Sequence, residues 1–235
     1  MVIPNTSSFG GFFLLGFSEQ PLLEMTLFVI TVVFYLLTLL ANMAIIILAH
    51  LDPRLHTPMY FFLTHLSLMD LCYTTSTVPQ LLFNLQGPGK IIRYGGCVGQ
   101  LYVSLALGSA ECILLAVMAV DHYVAGCRPL HYAILMHPCI CWQLAATTWL
   151  TGLASSLVQT VLITQVPLCG GNVIDHVFCE VPVLLKLACV DTTFQNQDKF
   201  LALLYGIVTP ALNPFIYTLC NKDMKGALRK MIGKD

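Results

Sequence analysis

Two acidic residues, Asp70 and Glu111, fall inside long apolar stretches of this 235-residue chain. An ionisable side chain near the middle of a membrane span costs roughly 2.5–3.5 kcal/mol on insertion scales, so each asks for a partner or a role. Asp70 stands twelve residues beyond Pro58, about 18 Å along a helix, and Glu111 stands ten residues before Asp121, about 15 Å by the same rise. The two carboxylates therefore reach similar depth. Asn42 and Asn213 fall in the inner halves of their own stretches and complete a candidate cluster around a small cation or a shared proton. Sodium is the natural candidate for such hard oxygen ligands. Equally open is plain hydrogen bonding of each polar group to a neighbouring backbone or water. Paired carboxylates also suggest general acid and base work. No aqueous cleft or substrate path is evident around them, so hydrolysis ranks far below ion binding.

The elements that must position these residues are set by composition. The chain is 57% hydrophobic and only 10% charged, against about 25% charged residues in an ordinary soluble domain. Five stretches are long and apolar enough to cross a bilayer core about 30 Å thick as helices: residues 25–50, 59–85, 98–123, 140–166 and 200–219. The expected fold is thus an all-α membrane protein, a helical transmembrane bundle. An outer segment 1–24 precedes it, a long loop 167–199 separates the last two spans, and a tail 220–235 follows. Pro79, Pro210 and Pro214 are expected to kink their helices, with neighbouring groups re-satisfying the freed carbonyls.

Orientation follows from Lys and Arg in the connections, which stay preferentially on the cytoplasmic side. With the first end outside, the inner segments hold Arg54, Arg128, Lys222, Lys225, Arg229, Lys230 and Lys234, and the outer ones hold Lys90, Arg93, Lys186 and Lys199. Seven against four favours the first end outside and the tail in the cytoplasm. The first end lacks the pattern of a cleavable signal peptide, so the first span is expected to direct insertion. Asn5-Thr6-Ser7 is then a glycosylation acceptor, a weak three-residue pattern. The net charge of −1 offers no basic stripe for a nucleic acid. No nucleophile elbow, phosphate loop, zinc-protease motif or internal repeat occurs, so neither an enzyme nor a transporter is expected.

Of ten cysteines, this topology places Cys97, Cys169, Cys179 and Cys189 in the oxidising outer space. Four cysteines allow three pairings, and spacing does not choose among them. Cys72, Cys112, Cys127, Cys139, Cys141 and Cys220 read as reduced thiols. His176, Cys179 and Glu180 stand at helical spacing and carry soft and hard donors, but a disulfide at Cys179 would remove the thiolate, and closed zinc sites want four ligands. No metal site is assigned there.

The nine residues Leu55-His56-Thr57-Pro58-Met59-Tyr60-Phe61-Phe62-Leu63 resemble the inner-loop signature of odorant receptors, within the rhodopsin-like G-protein-coupled receptors. Met118-Ala119-Val120-Asp121-His122-Tyr123, Cys127-Arg128-Pro129-Leu130-His131-Tyr132 and Pro210-Ala211-Leu212-Asn213-Pro214-Phe215-Ile216-Tyr217 follow in the same order. The resemblance implies disulfides joining Cys97 with Cys179 and Cys169 with Cys189. It also implies that Asp70 and Glu111 form a sodium-linked pair, and that small odorants bind where Ser104, Leu105, Gly108, Ser109 and Cys112 line the third span. Ordinary helix packing explains that face of small residues equally well. Asp121, His122, Tyr123, Asn213, Pro214 and Tyr217 correspond to the residues that couple the family to its G protein.

Two departures stand out. His122 occupies the place of an arginine that engages the G protein and pairs with the adjacent aspartate, and a neutral imidazole does neither well. After Asp191-Thr192-Thr193-Phe194 the chain passes directly to Gln195-Asn196-Gln197-Asp198-Lys199, which resembles the loop before the last span. The fifth and sixth spans of a seven-span receptor are therefore expected to be missing, and removal of a pair preserves the direction of the last one. Two functional readings result. The family favours an odorant receptor in the plasma membrane that signals through a heterotrimeric G protein. Physical grounds favour a non-signalling remnant, held in the endoplasmic reticulum if misfolded, or an assembly partner of intact receptors.

Overall fold

A computed structural model describes residues 12–14, 21–86, 91–127, 129–165, 173–174 and 210–214. Helix α1 (Pro21–Leu51) begins with Glu24 in its first turn, where a carboxylate complements the helix dipole. It stops at Pro53, and the Asp52 carboxylate accepts the backbone N–H of Arg54 at 3.0 Å to start a 3-10 turn over Pro53–Leu55. Pro58 opens α2 (Pro58–Gln86), a first position that needs no N–H donor. Helix α3 (Tyr94–Cys127) and the short α4 (Pro129–Leu135) follow. The last long helix among the described residues, α5 (Pro138–Thr164), is capped by His137, whose ring accepts the Cys139 N–H at 3.3 Å. Residues 210–214 are helical, and the rest of the fifth expected span lies outside the described residues.

Helices α1, α3 and α5 are long and apolar enough to cross a membrane. Helix α2, with 29 residues, matches them in length but not in apolarity. Its position explains the difference. It packs against both α1 and α3, and its buried face includes Ser67, Asp70, Thr74, Thr77 and Asn84. A helix surrounded by protein can carry polar groups that lipid would penalise. It also runs unbroken through Pro79. The helices overshoot the apolar stretches by one to four residues at most ends, because hydropathy marks the bilayer whereas backbone hydrogen bonding continues past it.

Among the described residues, three short strands join one end of the bundle. Strand β1 (Phe12–Leu14) is central, antiparallel to β2 (Ile91–Ile92) and parallel to β3 (Val173–Ile174). They precede α1, separate α2 from α3 and follow α5, so they gather the helix ends on that side. Hydropathy does not register such short segments, and an all-helical expectation passes over them.

Exposed side chains on α1 recur as Val29, Val33, Leu36, Leu40, Met43 and Ile47, a single stripe at helical spacing. Leu150, Leu153, Leu157 and Val161 repeat the pattern on α5. Apolar stripes this long suit lipid rather than water. Inside, the core draws Ile45 and Leu48 from α1, Tyr60, Phe62 and Leu66 from α2, and Leu107, Leu114 and Met118 from α3.

Helices α3 and α5 approach closely at Gly152, where an added Cβ would lie 2.7 Å from the Ala106 carbonyl oxygen and 2.8 Å from the Ala110 Cβ. One turn further on, Ser156 donates to the Tyr102 carbonyl at 2.6 Å. Small residues let helix backbones meet in this way. Gly152→Ala is therefore expected to cost about 1–3 kcal/mol by overpacking, despite alanine's better helix propensity. Gly108→Ala is the control, because a Cβ there meets nothing within 4 Å, and it should be neutral or slightly stabilising. Thermal melting of both variants in lipid checks the contrast, and equal melting points would refute close packing at Gly152.

Candidate functional site: a carboxylate pair bridged by one amide

Asp70 from α2, Glu111 from α3 and Asn213 from the 210–214 turn meet in the bundle. The Asn213 Nδ2 donates to Asp70 Oδ1 at 3.3 Å, Asp70 Oδ2 at 3.2 Å and Glu111 Oε1 at 3.1 Å. Asp70 is buried and Glu111 half-buried. One amide nitrogen carries two hydrogens, so it serves three acceptor oxygens only by sharing them. Two carboxylates thus face a single neutral donor among these contacts. In low dielectric, like charges this near are strongly unfavourable, so the arrangement suits a shared proton or a small hard cation.

Asn42 sits elsewhere than the sequence suggests. It is fully buried, but its Nδ2 donates to the carbonyls of Thr38 at 3.0 Å and Pro210 at 3.3 Å, not to the carboxylates. Pro214 explains the second bond. An ordinary residue at 214 would donate its N–H to the carbonyl four positions back, and proline has none. Asn42 fills the vacancy and ties α1 to the turn that carries Asn213. Its own Oδ1 is buried without a hydrogen-bond partner. Asn42→Leu should leave the Pro210 carbonyl unsatisfied and cost about 1–3 kcal/mol. Melting in lipid reads the loss, and an unchanged melting point would mean that the carbonyl finds another donor.

Towards the C-terminal end of α3, Asp121 is buried and accepts a 2.9 Å hydrogen bond from the Tyr132 hydroxyl on α4. Burial, followed by this bond and the nearby carboxylate charge, pushes the Tyr132 hydroxyl above the usual tyrosine range. His122 and Tyr123 are exposed. Tyr132 lies within a motif visible in the sequence, yet its partner was not evident there. The signal was the loss of arginine beside Asp121, which leaves the aspartate in need of another donor.

Ser104, Leu105, Gly108 and Ser109 are half-buried and Cys112 is exposed, and the space beside Gly108 is open. Cys97 is disulfide-bonded. Cys72, Cys112, Cys127, Cys139 and Cys141 are free thiols. Asn5, Cys169, Cys179, Cys189, Tyr217, Cys220 and the His176–Glu180 constellation lie outside the described residues. Among the described residues, no group of three or more His, Cys, Asp or Glu side chains could hold a metal.

The family model described as "Olfactory receptor" matches residues 31–200. The chain belongs to the olfactory receptor family. Human olfactory receptor 2G3 is 48% identical over 305 aligned positions, covering 99% of each chain. Human olfactory receptor 2G6 is 47% identical, covering 97% of this chain and 95% of the relative. Mouse olfactory receptor 2C1 is 43% identical, covering 100% and 98%. An alignment of 305 positions against a chain of 235 residues leaves at least 70 positions of 2G3 without a counterpart here. Two helical spans and their connections account for a segment of about that length. Family membership makes the chain a multi-pass receptor of the odorant-sensing, G-protein-coupled type, and it points to no enzyme family.

Proposed function

We propose that this receptor takes a small volatile ligand against the α3 face of Ser104, Leu105, Gly108, Ser109 and Cys112, with its first end outside and its tail in the cytoplasm. Ligand binding shifts the bundle between two packings, which requires a differential affinity for them. The Asp70–Glu111–Asn213 junction is the element biased by that shift. The single observation that carries this reading is the Asn213 amide, which holds α2, α3 and the 210–214 turn through one side chain. A change in helix spacing would break at least one of its bonds. A sodium ion or a proton supplies the missing positive charge. At the cytoplasmic end, the Asp121–Tyr132 bond takes the place of the aspartate–arginine pair.

The second reading is a non-signalling form that assembles with intact receptors. What favours it is the absence of at least 70 positions, together with an exposed α3 face bearing Leu115, Val120 and Tyr123. One experiment separates the two. The chain is expressed with the olfactory G protein, its first end is labelled on intact cells, and cyclic nucleotide output is measured across a wide odorant panel. Surface label with dose-dependent output supports signalling. Surface label without output, or no surface label, rejects it.

A further inference from the structure

One face of α3 stays open, and its composition is its own. Cys112, Leu115, Ala116, Ala119, Val120 and Tyr123 are all exposed. At about 100° per residue, Cys112, Ala116, Ala119 and Tyr123 fall within about 60° of one another, with Leu115 on one flank and Val120 on the other. The centre line is mostly small and its edges are branched. From Cys112 to Tyr123 the stripe rises about 16 Å, roughly half of a bilayer core. It begins where the proposed ligand face ends, at Cys112, and runs towards the C-terminal end of α3.

Neither acidic side chain of this stretch enters the face. Glu111 accepts from Asn213 at 3.1 Å and Asp121 from Tyr132 at 2.9 Å. The exposed stripes of the other helices are built differently, from Val33, Leu36 and Leu40 on α1 and from Leu150, Leu153 and Leu157 on α5. Lipid tails are as apolar as leucine, so large side chains gain little by leaving lipid for another helix. Small ones let two backbones approach and pack. The α3 face therefore suits a helix neighbour, and the other two suit lipid.

The choice of neighbour follows from what the chain lacks. At least 70 positions of olfactory receptor 2G3 have no counterpart here, enough for two spans. An intact receptor that lent its own pair of spans to this chain would uncover its own third span, so one covered face would be exchanged for one open face. A second copy of this chain has the same face idle. Pairing two copies covers both faces and opens none. Both copies insert in the same direction, so their twofold axis runs along the bilayer normal and the stripe meets itself at matching depth.

We propose that this stripe is a homodimer interface, with Cys112, Ala116 and Ala119 of one copy packed on the same residues of a second copy. The pairing depends on neither functional reading, and no odorant or G protein enters its test. The full chain, carrying Cys127→Ser to remove the other exposed thiol of α3, is reconstituted alone in phosphatidylcholine vesicles. Copper(II) phenanthroline then takes two electrons from a pair of thiols as their two protons pass to water. Dimers linked from Cys112 to Cys112 are expected, mapped by mass spectrometry, without links through Cys72 on α2 or Cys139 on α5, which are exposed as well. Ala116→Phe adds bulk at an exposed position and should lower the dimer yield about tenfold, whereas Leu36→Phe on the α1 stripe should leave it unchanged. Should Ala116→Phe misfold, Ala119→Ile carries the same expectation. Excess 2G3 in the same vesicles should not lower the yield. Absence of linked dimers, links chiefly through Cys72 or Cys139, or an undiminished yield in a folded variant would overturn the proposal. Loss of yield to 2G3 would also overturn it, because the face would then take an intact receptor.

Discussion

Asn213→Leu is expected to destabilise the bundle by about 3–5 kcal/mol, the scale seen when one partner of a buried charged network is removed. The wild-type amide donates to both oxygens of Asp70 and to one of Glu111. Leucine has similar bulk but no donor, so two carboxylates would face each other with neither a hydrogen bond nor an intervening dipole. Unfolding in lipid can be followed by the reactivity of Cys141, a buried free thiol, with the modified residue identified by mass spectrometry. A companion variant makes the cause specific. Asp70→Asn in the Asn213→Leu background replaces one charge with an amide able to donate to Glu111, and should recover part of the loss. A single-variant loss under about 1 kcal/mol, the worth of an ordinary neutral hydrogen bond, would mean that the junction is not a charged network.

Sequence periodicity and composition carry some of this architecture and miss the rest for definable reasons. Apolarity over about 20 residues locates α1, α3 and α5, because a bilayer imposes that length. Rise per residue brings Asp70 and Glu111 to one depth, and in the structure a single amide touches both. Depth says nothing about direction around the helix axis, however. Asn42 shares the inner half of the bundle with Asn213, but it faces the proline turn and satisfies a carbonyl that Pro214 leaves open. Its role was legible only as a general rule, that kinked helices borrow donors from neighbours. Tyr132 was still less accessible, since its bond to Asp121 depends on how α4 folds back against α3. The strands β1, β2 and β3 span two or three residues each, too few for any alternation to register.

The second large effect expected concerns the charge of the junction. Exchanging choline for sodium at constant ionic strength should raise the melting temperature of the wild-type chain, because an ion that binds only the folded state stabilises it by mass action. At a hundred times its dissociation constant the gain is about 2.7 kcal/mol. Constant ionic strength matters, since screening alone changes the repulsion between carboxylates. Asp70→Asn and Glu111→Gln should each abolish the sodium increment, as either substitution leaves one carboxylate against the Asn213 amide and removes the need for a counter-ion. In sodium-free medium the same variants should melt at or above the wild type, because the like-charge repulsion is gone. Simple loss of packing predicts the reverse, a lower melting point under both conditions. A wild-type melting curve that does not respond to sodium would exclude the cation and leave a shared proton to balance the pair.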